Sequence, residues 1–253
     1  MFRKHLVVLA AGASLLAAGV AQSVAAELKV SGAATVAGDI IIPNKAAIEK
    51  STGLTLNVVV NGDGNGLKDL YGGKVDVMMV AAPLKATADA LNKINPGSVS
   101  TDGLQFVQLG AVGIKFILNP KNPVKSLTAA QVKDIFTGKI TSWKDVGGAD
   151  QPIMVVVEPP GNGTRTNVVS GLLDGADITG QAHVMQALVQ VAQVVGQAPN
   201  AIGYGNSASI TPADYVVPGV DVKQPIGLAT KGAPNGDVQK LIAAAQQYSA
   251  SVR

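Results

Sequence analysis

Short apolar runs alternate with polar, helix-compatible stretches along most of the chain. Leu28 to Val30 predicts a short strand, and Ser31-Gly32-Ala33-Ala34-Thr35 predicts a loop of small residues. A helix is predicted from about Pro43 to Lys50, with Ala46, Ala47 and Ile48 available for packing. Leu54 to Val60 predicts a strand, which leads into Asn61-Gly62-Asp63-Gly64-Asn65-Gly66 and a helix start at Leu67 to Tyr71. Val75 to Val80 is another apolar strand. This βαβαβ order is the signature of an α/β layer.

A second unit begins after Gly113. Ile114 to Leu118 predicts a strand, and Asn119-Pro120-Lys121-Asn122-Pro123 a stiff break. Thr128 to Phe136 predicts a helix: Thr128 and Gln131 have capping-box spacing, Val132, Ile135 and Phe136 share a face, and Gly138 stands where it should stop. Ile153 to Val157 predicts a buried strand, followed by the tight loop Gly161-Asn162-Gly163-Thr164 and a helix from near Thr166. His183 to Val194 predicts a helix with Met185, Leu188, Val189 and Ala192 on one face. Ala201 to Tyr204 and Ile226 to Thr230 predict strands, and Asp237 to Tyr248 a closing amphipathic helix.

The N-terminus changes the setting. Arg3 and Lys4 precede an apolar run from Leu6 to Val20, and Val24-Ala25-Ala26 is a small-residue cleavage site. Residues 1–26 therefore predict a cleaved secretory signal, the alternative being a membrane anchor, for which the apolar stretch is short. Removing it takes two of the 20 basic residues, against 17 acidic ones, and leaves the charge close to balanced. No basic run suggests nucleic acid. The chain has no cysteine, so disulfides, thiolate chemistry and a lipidated N-terminal Cys are excluded. A free periplasmic protein is expected. His183 is the one histidine beyond the signal, which argues against a histidine metal site, and no cofactor is expected.

Two glycine-rich segments stand between a strand and a helix, where exposed backbone N–H groups and the helix dipole favour anions. One is Gly62 to Gly66; the other is Gly161 to Thr164 with Arg165 adjacent. Each alone is a weak signal, since glycines between a strand and a helix are more often plain turns. The first fails the dinucleotide GxGxxG pattern because its third glycine comes one residue early. Ser207 and Ser209 have no histidine in a recognisable arrangement. Met78-Met79 reads as strand core, Trp143 as a packing residue before a stacking platform, and His183 as a helix-surface residue.

Leu127 to Gly148, with its Gln131-Val132-Lys133-Asp134-Ile135-Phe136-Thr137-Gly138 and Ile140-Thr141-Ser142-Trp143, closely resembles a stretch of bacterial phosphate-binding proteins, the periplasmic subunits of phosphate ABC transporters. Asn119 to Val124, Gly161 to Arg165, Ala201 to Tyr204 and Thr230 to Pro234 follow in the family's order. The resemblance implies an α/β, two-lobed periplasmic-binding-protein fold of type II-like topology, with the ligand in a cleft between lobes. Residues 27–116 and 208–253 would form the first lobe and 117–207 the second, with crossings near Ile114 to Leu118 and Ser207 to Thr211. It also implies a small-molecule solute, closure by hinge motion, an inner-membrane ABC permease as partner, and a monomer.

Carried over residue by residue, the resemblance assigns ligand contacts to Thr35, Asp63, Asn65, Ala81, Glu158, Asn162, Gly163, Thr164 and Arg165. The sequence departs from the family at several of them. The family's serine-bearing glycine loop here contains Asp63 and Asn65. Its Ser-Asp pair is replaced by Val80 and Ala81. Its arginine four residues before the second loop's serine is replaced by Glu158. A glutamate in place of a bidentate cation repels a dianion, at a cost on the order of several kcal/mol at close range. Poor phosphate binding is expected, with a cation, an amine or a polar neutral solute as ligand. Glu158 could instead be a surface carboxylate turned away by Pro159-Pro160. Three other readings stay open: an accessory or sensory docking protein, phosphate binding through a site rearranged around Arg165, and, with least support, an enzyme.

Overall fold

The computed structural model describes residues 25–249; residues 1–24 of the expected signal, 1–26, lie outside them. Eight strands form one mixed sheet in the order β2-β1-β3-β8-β4-β7-β5-β6. β1 (Ala26–Gly32), β2 (Leu54–Val60) and β3 (Val77–Val80) run parallel. β5 (Met154–Val157) is parallel to both β6 (His183–Val184) and β7 (Ala201–Gly205). Joining the groups are two long antiparallel strands, β4 (Leu104–Leu118) and β8 (Tyr215–Lys231), with register shifts at Gln108/Gly110 and Lys115/Ile117. Of the two long strands, β3 pairs only with β8, near its end, and β7 only with β4, at its end.

Apolar packing follows this division. In one half, Val30, Ile40, Ile41, Ile48 and Leu241 pack on one face of the sheet, and Leu67, Leu70, Met78 and Leu91 on the other. In the other half, Phe116, Phe136, Trp143 and Tyr204 form one cluster, and Ile117, Val156, Val191 and Val195 another. Val217, Val220 and Val222, early in β8, belong to the second half, while Ile226 and Leu228 belong to the first.

Several elements differ from the sequence reading. The first helix starts much earlier than Pro43: α1 (Ala34–Val36), a π segment (Ala37–Ile41) and α2 (Ile42–Thr52) run on continuously. The segment Gly62 to Gly66 is the opening of α3 (Gly62–Tyr71) and not a loop. Glycine is a poor helix former, but tertiary contact decides here, since a Cβ on Gly66 would come 2.7 Å from the Gly32 Cα. α4 (Leu84–Ile94) was not predicted; it buries Thr87, Ala88 and Leu91. α5 (Ala129–Phe136) carries the expected capping box, with Thr128 Oγ1 accepting from the Gln131 N–H at 3.2 Å. α6 (Gly163–Gly171) starts three residues before Thr166. His183 is an exposed strand residue, not a helical one, because the segment pairs with β5 and Met185 N–H donates to Val157 O at 2.8 Å. α7 (Leu188–Gln197) begins only after that, and its buried face is Val191, Ala192 and Val195. α8 (Gly236–Ser249) ends the described chain. No helix among the described residues is long and apolar enough to cross a membrane.

Candidate functional site

A cavity of about 510 Å³ opens where the carboxyl ends of β1, β2, β3 and β5 meet the start of α1, α3, α6 and α7. Ligands of open α/β sheets bind at this edge. The two halves of the molecule touch directly beside it. Gly64 N–H donates to Gly161 O at 3.1 Å, and Asn167 Nδ2 donates to Ala81 O at 2.6 Å.

Seven of the nine residues singled out from sequence line this cleft: Thr35, Asp63, Ala81, Glu158, Asn162, Gly163 and Thr164. Two do not. Asn65 is exposed, and its amide donates back to Asn61 O at 3.0 Å. Arg165 donates from Nη1 to Glu158 O at 2.6 Å and lines a separate cavity of about 390 Å³ between α4 and α6. Helical geometry accounts for both. Residues two apart, such as Asp63 and Asn65, or adjacent, such as Thr164 and Arg165, point to different sides once the segment is helical. A phosphate site built around Arg165 therefore has no support from its position.

Both carboxylates sit at the cleft. Asp63 is 2% exposed, and its Oδ1 accepts from Ala81 N–H at 2.7 Å. Burial outweighs that hydrogen bond and pushes its pKa up to about 7. Glu158 is 6% exposed, so Pro159-Pro160 does not turn it to solvent. Burial also raises its pKa to about 7; the Asn162 amide, donating to Oε1 at 3.2 Å, opposes the rise and nearby Asp63 adds to it. The Glu158 N–H donates to Tyr204 Oη at 3.1 Å, which anchors the backbone at this strand end.

Asn61 and Gln224 also line the cleft, and sequence reasoning missed both. Asn61 precedes a flagged glycine and could have been found. Gln224 could not, because only the pairing of β8 brings it beneath Ala81, whose carbonyl accepts from its Nε2 at 2.9 Å. Among the described residues three buried side-chain oxygens lack a hydrogen-bond partner: Asn61 Oδ1, Glu158 Oε2 and Gln224 Oε1. All three belong to cleft residues. The amide orientations are pinned by their donating ends, Asn61 Nδ2 to Asp69 Oδ2 at 2.8 Å and Gln224 Nε2 to Ala81 O, so the free atoms are acceptors.

Gly163 is required by close approach. A Cβ there would stand 2.3 Å from Asp63 Oδ2 and 3.3 Å from Ala81 O. Gly163→Ala is expected to lower the free energy of unfolding by about 1–3 kcal/mol, measured by denaturant titration.

The fold and cleft define a two-lobed α/β binding protein. A family model described as a PBP superfamily domain matches residues 18–248, and the chain belongs to that superfamily. Within it the chain is a divergent member of the phosphate-binding protein family. It is 29% identical over 184 residues to the phosphate-binding protein PstS of Bacillus subtilis, covering 70% of this chain and 58% of that protein. The chain thus spans a little over half the length of that relative. A solved structure described as a phosphate ABC transporter substrate-binding protein with bound phosphate, from Clostridium perfringens, superposes with a TM-score of 0.71. It is 26% identical, over 86% of this chain and 92% of that one. An ABC-type phosphate transport receptor from Vibrio cholerae shares the fold at a TM-score of 0.69 and 22% identity, over 87% and 93%.

Proposed function

We propose that the chain is a periplasmic solute-binding protein, exported by a cleaved signal and working with an inner-membrane ABC permease, whose ligand is a hydrogen-bond donor and not the phosphate dianion. An amine, another organic cation or a polyhydroxy solute fits this description. The carrying observation is that three cleft-lining residues, Asn61, Glu158 and Gln224, each hold an unpartnered acceptor closed to solvent, which a donor in the cleft reaches when the side chain turns toward it. A buried acceptor left unpaired costs about 1–3 kcal/mol, which a donating ligand removes. An oxyanion would add further acceptors beside two carboxyl groups. The protein is taken to be a monomer without catalytic activity.

The lobes move about the β4–β8 pair in this reading. The packing supports a return crossing inside β8, between Val222 and Ile226, later than the Ser207 to Thr211 crossing expected from sequence.

A second reading, oxyanion binding, draws support from the phosphate-bound Clostridium perfringens relative and from the hydroxyls of Thr35 and Thr164 at the cleft. Isothermal titration at pH 7.5 separates the two. Phosphate is expected to give no binding at micromolar concentration, and at least one member of a panel of amines, polyamines and sugars to bind. Micromolar phosphate binding would sink the donor-ligand reading in favour of the second. Silence across the whole panel would point to a docking role in which no small solute is carried.

A further inference from the structure

We propose that the cleft takes a diamine, a straight-chain solute with an ammonium group at each end, one end received by the buried Glu158 and the other by the more open Asp39. This deepens the donor-ligand reading of the cleft and rests on it. Asp39 lines the same cavity as Glu158 but comes from the opposite half, on the π segment between α1 and α2. Single π turns within helices frequently mark functional sites. The Asp39 carboxyl is half-buried, and among the described residues nothing offsets that burial. Desolvation alone raises its pKa, with no hydrogen bond or cation to oppose the rise.

Charge, separation and lining together select a diamine among donor ligands. Among the described residues no lysine, arginine or histidine lines the cavity, whereas Asp39, Asp63 and Glu158 all do. Asp63 is engaged internally, with Oδ1 on the Ala81 N–H and Oδ2 against Gly163. Glu158 and Asp39 are left for a solute, and the Oε2 of Glu158 has no partner. The two stand apart. Asp63 adds to the rise in the pKa of Glu158, but no neighbouring charge shifts Asp39, so one ammonium does not bridge both carboxyls. The remaining wall is partly apolar: Val60 from the first half, Leu188 and Val189 from the second, with both valines exposed. A run of methylenes covers such side chains, and the hydroxyls of a sugar do not. The volume of about 510 Å³ lies within the roughly 300–1,000 Å³ of pockets that enclose organic solutes.

Calorimetric titration at pH 8 and low salt tests this, with putrescine, cadaverine and hexamethylenediamine each set beside the straight-chain monoamine of equal length. At least one diamine is expected to bind about tenfold or more tightly than its monoamine. Asp39→Asn, which keeps the size of the side chain and removes its charge, is expected to erase that advantage. Asp39→Ala serves as a second variant should the asparagine fail to fold, with thermal melts confirming the folded state of each. Glu158→Gln is expected to weaken diamine and monoamine by similar factors. The proposal is overturned if no diamine binds more tightly than its monoamine, if folded Asp39 variants keep the advantage, or if aminohexanol, with a hydroxyl in place of the second ammonium, matches hexamethylenediamine. Binding of monoamines or sugars alongside any of those results would leave the donor-ligand reading standing, whereas micromolar phosphate binding would remove that reading and this proposal together.

Discussion

The protein is expected to melt at a higher temperature at pH 5.5 than at pH 8. Acidification usually weakens a protein whose carboxylates are paired, but here the two cleft carboxyls work the other way. Asp63 and Glu158 have ordinary values of 3.8 and 4.5 and are each raised by burial to about 7 in the folded chain. Between pH 5 and 7 the folded state therefore holds protons that the unfolded state has released. Stability falls with pH wherever the native state binds more protons. The loss is absent below the unfolded values, grows through this window and is complete above about pH 7. Between pH 5.5 and pH 8 ionisation of the two groups costs on the order of 4 kcal/mol, and each kcal/mol moves the melting temperature of a chain this size by about 2–4 °C. A difference of about 10 °C between the two pH values is the expected scale. Asp63→Asn should flatten the dependence and raise the melting temperature at pH 8. A melting temperature that rises steadily from pH 5.5 to pH 8 would show that neither carboxyl holds its proton.

Trp143→Ala is expected to cost about 3–5 kcal/mol of stability, the range for deleting a large buried aromatic side chain. Trp143 is 2% exposed, packs in the cluster of Phe116, Phe136 and Tyr204, and donates from its indole N–H to Asn200 O at 2.8 Å. The substitution removes that packing and one of the two hydrogen bonds to the carbonyl, which also accepts from the Met154 N–H at 3.0 Å. Trp143 is also the chain's one tryptophan and is not a cleft residue. Its emission should therefore be that of a buried indole and should not be quenched by any solute that binds. Direct quenching by a bound solute, or a variant as stable as wild type, would restore a stacking role for this side chain.

How much of this was legible beforehand varies by element. The capping box at Thr128 and Gln131, the buried face of α5 and the strand at Ala201 to Tyr204 follow from local chemistry, because the deciding interactions lie within a few residues. The loops at Gly62 and Gly161 were marked by their glycines, yet the first is helical. Its glycines are there so that α3 can press against Gly32 and Gly161, a requirement set by residues far away in sequence. α4 carries no reading from sequence, and the strand at His183 reads as helix, for a related reason. A short amphipathic stretch takes the form its neighbours permit, and β5 recruits His183 and Val184 as a strand.

Residue types alone determined that this chain has no cysteine chemistry and that its apolar runs alternate as an α/β layer requires. Those facts are fixed by composition and order. The tertiary structure decided which side chains share the cleft. It brought Asn61 and Gln224 in, turned Asn65 and Arg165 out, and set Asp63 against Gly163 from the opposite half. Side-chain direction on a helix and the pairing of strands far apart in sequence, as in the β4–β8 ladder from Leu104 to Lys231, are properties of the folded chain, and no local pattern encodes them.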